Sequence, residues 1–150
     1  MSWFEKYLYV KKSGLSKAGK GLFTRKAIPE GKCITEYKGR IRSWKQSLAE
    51  PGDNAYFFYI TAKAVINPLQ GKKTSAHFAN DADGFSQSKA HRNNSEYLTD
   101  GNRCFIYSTR PIQRFGEILV DYGRDYWKVR KEIIAEQKVE QKKKKKKSKR

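Results

Sequence analysis

In two parts of the sequence a tyrosine follows an acidic residue at the end of an apolar segment. Residues 24–37 (TRKAIPEGKCITEY) and 109–122 (TRPIQRFGEILVDY) share Thr-Arg, then a glycine, then an acid and a tyrosine, ending at Tyr37 and Tyr122. Each unit predicts a turn and then a strand that presents a phenol, a group that can orient a reacting atom. A buried tyrosine with a satisfied hydroxyl is the commoner role for this residue. Since only one repeat is present, an alternative explanation of the match is that both segments contain the same common turn-forming residues by chance.

A loop rich in glycine and lysine, residues 11–21 (KKSGLSKAGKG), precedes the apolar pair Leu22 and Phe23. Glycines beside a strand allow a ligand to approach the backbone, whose amides can then bind it. Ordinary turns have the same composition, so the loop alone does not predict a site.

Regular periodicity is absent from residues 69–94. A segment of this length without periodicity is usually functional or disordered. Apolar Phe78 and Ala79 stand beside Asn80 and Asp81. We therefore expect residues 76–82 to cross the interior in an ordered conformation and residues 86–93 to be mobile.

The remaining patterns predict a mainly β domain of small curved sheets with one short insert helix. Strands are expected at residues 7–10, 33–37, 55–61, 65–66, 97–98, 104–107 and 118–120, the last buried on both faces. Ser43 is the expected N-cap of a helix over residues 43–50. We expect one domain over residues 1–127 and, over 128–150, a helix leading into a disordered lysine-rich tail.

The chain has 150 residues and a formal net charge of +18. Residues 128–150 hold twelve Lys or Arg against three Glu, so half of the charge lies in this tail. A field of this sign attracts polyanions such as nucleic acid, although a solvated tail or a localisation signal is an equally good explanation of the lysines.

Cys33 and Cys104 have neither the spacing of a zinc site nor that of a disulfide framework, which favours a reducing, intracellular compartment and predicts no metal. The first ten residues, MSWFEKYLYV, are too short and charged for a signal peptide, and no apolar run is long enough to cross a membrane.

Four stretches carry a family resemblance when they are taken in order. They are GKG at 19–21, Glu36-Tyr37 followed by Gly39, FAND at 78–81, and GEILVDYG at 116–123. Together they resemble the signatures of SET-domain protein lysine methyltransferases, over about residues 8–127. The resemblance implies a pseudoknot that brings FAND against VDYG.

The resemblance also implies a set of site residues. The cofactor would be S-adenosylmethionine, with S-adenosylhomocysteine as product, held by Gly19, Lys20, Gly21, Phe78, Asn80 and Asp81. Tyr122 matches the catalytic tyrosine, and Tyr37, Tyr97 and Tyr59 would line the lysine channel. Tyr126 or Trp127 would cover the adenine, with the C-terminal helix closing the substrate side.

This chain departs from the family pattern in three places. Asp81 replaces the family's histidine, His77 stands where the family has an arginine, and the zinc-binding cysteine cluster that follows the domain in many members is absent. The small Val120 stands where residue size influences how many methyl groups are added, and product multiplicity stays open. Glu36 and Asp121 are tempting as an acid-base pair, but solvated or capping roles are favoured. His77 and His91 are expected to be structural or superficial rather than catalytic.

The resemblance thus implies methyl transfer to a lysine of a basic, histone-like or other protein. The alternative is a catalytically weak SET-fold binding module for chromatin or nucleic acid. We expect a nuclear or chromatin-associated protein in a eukaryotic host and a cytoplasmic one in a bacterium.

Overall fold

The computed structural model describes residues 4–49, 56–71, 74–83, 91–123, 135–136 and 138–147. Within these ranges the chain is mainly β and forms three small sheets, as the sequence predicted. The first sheet contains β1 (Leu8–Lys12), β2 (Lys20–Thr24) and β9 (Glu117–Ile118), all antiparallel. Its central strand is almost entirely buried.

The second sheet has the order β10-β7-β8-β3 and contains the strands predicted at 97–98 and 104–107, which pair antiparallel. Its strands are β3 (Cys33–Tyr37), β7 (Ser95–Asp100), β8 (Arg103–Ser108) and β10 (Val120–Asp121). Gly101 makes the turn between β7 and β8 with a φ of 59°, a left-handed conformation that glycine adopts at little cost. Strand β10 joins this sheet in parallel with β7.

The third sheet forms the insert and has the order β4-β6-β5. It consists of β4 (Arg40–Arg42), β5 (Phe58–Thr61) and β6 (Ala64–Asn67), and helix α1 (Trp44–Leu48) precedes β5. Ser43 caps α1 as predicted, because its hydroxyl accepts the Gln46 amide while the Gln46 side chain accepts the Ser43 amide, a capping box. The insert therefore folds by signals within its own sequence.

The two Thr-Arg units of the sequence pair with each other. Ile28 and Ile112 form an antiparallel bridge, and the Phe115 amide donates to the Thr24 carbonyl over 2.7 Å. At the other end the Gly31 amide donates to the Ser108 carbonyl over 2.8 Å. The start of each unit thus lies opposite the glycine turn of the other, and the two units run antiparallel there.

The predicted single strand at 118–120 is wrong in one respect. All three residues are buried, but Ile118 belongs to the first sheet and Val120 to the second. At Leu119, between them, the amide donates to the Asn94 side-chain oxygen over 3.0 Å and the carbonyl accepts the Asn94 amide over 2.9 Å. The chain changes sheets at this residue, which a run of apolar letters cannot reveal.

At the C-terminus, residues 138–147 are helical and exposed, so the lysine run at 142–147, expected to be disordered, lies on a helix. Of residues 86–93, expected to be mobile, residues 86–90 lie outside the described residues. No helix in the described part of the chain is long and apolar enough to span a bilayer.

Candidate active site

The segment 76–82 crosses the interior, as its composition predicted. It begins with a short 3₁₀ turn, Ala76–Phe78, and Ala76, Ala79 and Ala82 are buried. The Asn80 carbonyl accepts the Val120 amide over 2.8 Å, while the Asn80 side chain donates to the Lys20 carbonyl over 2.9 Å. One residue thus joins the glycine loop, the crossing and the C-terminal strand.

The C-terminal strand runs between Asn80 on one side and Asn94 on the other. The Asn94 side chain donates to the Glu117 carbonyl over 2.9 Å and accepts the Leu119 amide over 3.0 Å. This arrangement places FAND against VDYG, as the resemblance implied. Asn94 had no predicted role because an asparagine in a polar stretch carries no signal of its partner about 25 residues away.

Tyr122 is fixed at both ends by this crossing. Its backbone amide donates to the Asp81 Oδ2 over 3.0 Å, and its phenol hydroxyl donates to the Ala79 carbonyl. The ring itself is half-buried against the core. Tyr122 therefore donates two hydrogen bonds to the segment 76–82, and these restrict both its backbone and its hydroxyl.

The carboxylate of Asp81 is a structural acceptor. It is only 4% exposed. Besides the Tyr122 amide, it accepts the Asp83 amide and the Asn93 side-chain amide at Oδ1, each over 2.8 Å. The residue that departs from the family pattern is therefore one that holds Tyr122 in place.

Four aromatic rings lie side by side next to this point. The ring of Tyr97 is 6.1 Å from that of Tyr122, 6.0 Å from that of Tyr37 and 4.8 Å from that of Phe58, measured between centroids. Tyr37 is buried and its hydroxyl donates to the Tyr56 carbonyl, whereas Tyr97 and Tyr122 remain half-buried. Two tyrosines of the cluster therefore keep part of their surface exposed.

The expectation that Tyr59 helps to form this wall is wrong. Tyr59 is 55% exposed and its ring packs edge-on against Trp44 at 5.8 Å. Successive side chains of a strand point to opposite faces, so Phe58 enters the cluster and Tyr59 leaves it.

The glycine loop is held in place by an acid far along the chain. Glu117 accepts the Ser13 hydroxyl over 2.6 Å and the Gly14 amide over 3.0 Å. A Cβ on Gly21 would lie 2.3 Å from the Glu117 Oε1, whereas a Cβ on Gly19, at a φ of 71°, would meet no atom within 4 Å. Gly21 therefore makes room for the acid, and Gly19 faces open space.

The two acids considered as a pair serve separate structural roles. Glu36 forms an ion pair with Arg103 over 2.7 Å, and this hydrogen bond lowers the pKa of the Glu36 carboxyl. Asp121 is exposed and accepts the Gly123 amide over 2.8 Å, which caps the turn after β10. The capping role is confirmed for Asp121, whereas Glu36, with its side chain only 15% exposed, is ion-paired rather than solvated.

Neither histidine is grouped with metal ligands. His77 is buried beside two aromatic rings, at 5.6 Å from Tyr56 and 4.2 Å from Phe78 between centroids. His91 lies beside the glycine loop, with its Nε2 3.4 Å from where a Gly14 Cβ would stand. Over the described ranges, no group of three or more His, Cys, Asp or Glu residues could hold a metal ion.

The described site residues thus form one contiguous set, linked through Lys20, Asn80, Asp81, Tyr122 and Tyr97. Tyr126 and Trp127, expected to cover the adenine, lie outside the described residues.

The small sheets and the crossing at Asn80 are those of a SET-like fold. The family model described as SET domain matches residues 19–123, and the chain therefore belongs to the SET-domain family. The members of this family are generally protein lysine methyltransferases. No curated protein sequence matches the chain.

Proposed function

We propose that the protein is an S-adenosylmethionine-dependent protein lysine N-methyltransferase. The observation that carries this proposal is the double anchoring of Tyr122, through its amide and its hydroxyl, beside the half-buried ring of Tyr97. A phenol fixed in this way is pre-organised to position a reacting group, which is the main requirement of an in-line displacement.

The residues around Asn80 fit the cofactor that the family uses. Gly19 has open space where a side chain would stand, Lys20 is exposed, and Phe78 and Asn80 are half-buried beside them. Since the Asn80 side chain donates to the Lys20 carbonyl, the loop backbone is held against the crossing. In our proposal Gly19, Lys20, Gly21, Phe78 and Asn80 hold S-adenosylmethionine.

Asp81 has a different part in this proposal. Its carboxylate accepts three protein donors, so in our proposal this side chain fixes Tyr122 and does not itself bind the cofactor. When bound, S-adenosylmethionine supplies a methyl group on a sulfonium, which passes to the lysine nitrogen as the carbon–sulfur bond breaks.

The aromatic cluster would receive the lysine. Rings of Tyr37, Phe58, Tyr97 and Tyr122 can hold the ammonium form by cation–π attraction as the side chain enters. Exclusion of water by these rings disfavours the charged form and lowers the pKa of the ammonium, which promotes loss of its proton. The neutral amine that results is the nucleophile.

Tyr122 would orient that amine. Because its hydroxyl proton is directed to the Ala79 carbonyl, the phenol oxygen presents its lone pairs to an approaching N–H group. An N–H bond accepted there would turn the nitrogen lone pair toward the methyl carbon. Tyr122 is thus the catalytic residue of the proposal.

Labelled methyl transfer tests the proposal. The full chain is incubated with radiolabelled S-adenosylmethionine and a mixture of lysine-rich proteins, and Tyr122→Phe is compared with Tyr107→Phe, a half-buried tyrosine of β8 outside the cluster. We expect Tyr122→Phe to lose on the order of 100-fold in rate and Tyr107→Phe to remain near the wild-type rate.

Isothermal titration with S-adenosylmethionine separates binding from chemistry. We expect heat of binding from the wild type and from Tyr122→Phe alike. Equal labelling by Tyr122→Phe would remove the catalytic role of Tyr122, and absence of binding to the wild type would remove the methyltransferase proposal.

A further inference from the structure

The first sheet carries a cluster of cations on its outer face. Residues Leu8, Val10, Leu22 and Thr24 turn toward the interior, so the alternate positions of β1 and β2 face outward. We name this surface the β1–β2 outer face. It comprises Tyr9 and Lys11 of β1, the buried Phe23 of β2, Lys6 and Tyr7 of the 3₁₀ turn Glu5–Tyr7 that precedes β1, and Arg25 and Lys26, which follow β2.

Aromatic rings form the floor of the β1–β2 outer face. Tyr9 and Phe23 are direct cross-strand partners, and their rings stack with centroids 5.7 Å apart. Tyr7 continues the row, because the Arg25 amide donates to the Tyr7 carbonyl over 2.8 Å and so extends the pairing beyond Thr24.

Each ring of this floor lies under at least one cation. The Lys11 Nζ is 4.5 Å from the centroid of Phe23, and the Arg25 guanidinium carbon is 4.5 Å from that of Tyr9. Tyr7 carries Lys6 at 5.2 Å and Lys26 at 5.1 Å. Contact with the rings restricts these long side chains, so part of the entropy cost of ordering them is met before any partner binds.

The acids near this face are already engaged. Glu117 pairs with Phe23 at the end of the sheet next to the glycine loop, and its carboxylate accepts Ser13 and Gly14. Glu5 accepts the Thr35 hydroxyl over 3.3 Å. These donors are neutral and leave both carboxylates charged, so in the described part of the chain four cations of the face stand against two acids and the net charge is positive.

We propose that the β1–β2 outer face binds the phosphate backbone of nucleic acid. Tyr9 and Phe23 are cross-strand partners and Tyr7 lies two residues before Tyr9, so the cations over these three rings form one positive cluster. Nucleic acid carries a charge at every nucleotide whatever its sequence, so its backbone presents phosphates to such a cluster in any register. An acidic peptide would need its carboxylates at matching positions, and Arg25 adds the planar fork that suits phosphate.

The residues of this face differ from those proposed for methyl transfer and from the lysine run at 142–147. Binding at the face requires no cofactor, and its failure would leave the proposed activity untouched. Nucleic-acid binding at this face would give a role to four of the positive charges that lie outside residues 128–150.

Salt-dependent binding of the full chain tests this proposal. Anisotropy of a fluorescent DNA duplex is measured between about 50 and 200 mM salt, where each lost phosphate contact reduces the slope of log K against log salt by about one. The face variant changes Lys6, Lys11, Arg25 and Lys26 to Gln. The matched control changes Arg40, Arg42, Lys45 and Lys63, exposed cations of the insert, to Gln.

We expect the face variant to lower the slope by about three to four and the control by less than about one. Equal slopes for the two variants would overturn the proposal. Displacement of the duplex by polyglutamate as readily as by unlabelled DNA of equal charge would also overturn it, since it would identify an acidic polypeptide as an equivalent partner.

Footprinting of the unmodified protein gives an independent measurement that requires no variant to fold. Acylation of Lys6, Lys11 and Lys26 is followed with and without the duplex, with Lys45 and Lys63 as internal references. Selective protection of the three face lysines supports the site, and protection no greater than at the references contradicts it.

Discussion

Replacement of Asp81 by Ala should destabilise the domain strongly, because the carboxylate accepts three protein donors from a nearly dry position. The donors are the amides of Tyr122 and Asp83 and the side chain of Asn93. Hydrogen bonds to a charged acceptor contribute about 1.5–3 kcal/mol each. The removal of the carboxylate also removes its own cost of burial, so we expect a net loss of about 3–5 kcal/mol in the free energy of unfolding.

Asp81→Asn tests the two carboxylate oxygens of Asp81 separately. An asparagine can keep one oxygen for Asp83 and Asn93, but its NH₂ group then faces the Tyr122 amide, donor against donor. We expect a loss of about 1–3 kcal/mol from that one contact. The control is Asp121→Asn. Asp121 is exposed and its carboxylate accepts the Gly123 amide in the turn after β10, so we expect this substitution to cost about 1 kcal/mol or less.

Urea denaturation, with the slope and midpoint fitted together, measures these differences. Hydrogen exchange at the Tyr122 amide should quicken in both Asp81 variants and stay unchanged in Asp121→Asn. A free energy of unfolding for Asp81→Ala within about 0.5 kcal/mol of the wild type would refute the reasoning, since surface changes fall in that range.

Three further outcomes follow from single contacts. Gly21→Ala should lower the free energy of unfolding by about 1–3 kcal/mol in urea denaturation, because its Cβ would lie 2.3 Å from the Glu117 Oε1. The pKa of Glu36 is lowered by Arg103, so this pair stabilises the fold above the unfolded pKa of 4.5 and loses that effect as the pH falls through the lower folded pKa. The denaturation midpoint of Arg103→Gln should therefore fall less between neutral and acid pH than that of the wild type. Burial raises the pKa of Cys104 to about 12, so iodoacetamide should leave its thiol unmodified in the native protein and alkylate it in urea.

Sequence patterns predicted those parts of the fold whose cause is local. The hydroxyl of Ser43 and the side chain of Gln46 form a capping box within four residues, and Gly101 makes the left-handed turn of a hairpin. The crossing at 76–82 was also predictable, since apolar Phe78 and Ala79 beside polar residues indicate a buried backbone that bonds to its neighbours.

Other features depend on contacts that no local pattern contains. In the run AYFFYIT, apolar side chains occupy both faces of the strand, so the sequence gives no means of choosing Phe58 over Tyr59 for the cluster. The partners of Glu117 are Ser13 and Gly14, more than a hundred residues away. The cluster of cations on the β1–β2 outer face likewise emerges only when β1 and β2 are in register.

The position of residues 117–122 near the end of the family match has a consequence for synthesis of the protein. While these residues are still inside the ribosome, the β2 edge, the Asn80 carbonyl and the Asp81 carboxylate of the nascent chain lack the partners they have in the folded domain. Pairings at such long separation also form slowly, because loop closure must precede the contacts that stabilise it. A chain truncated before residue 117 would expose an open strand edge and apolar surface, which are the features that make a partly folded chain prone to aggregation.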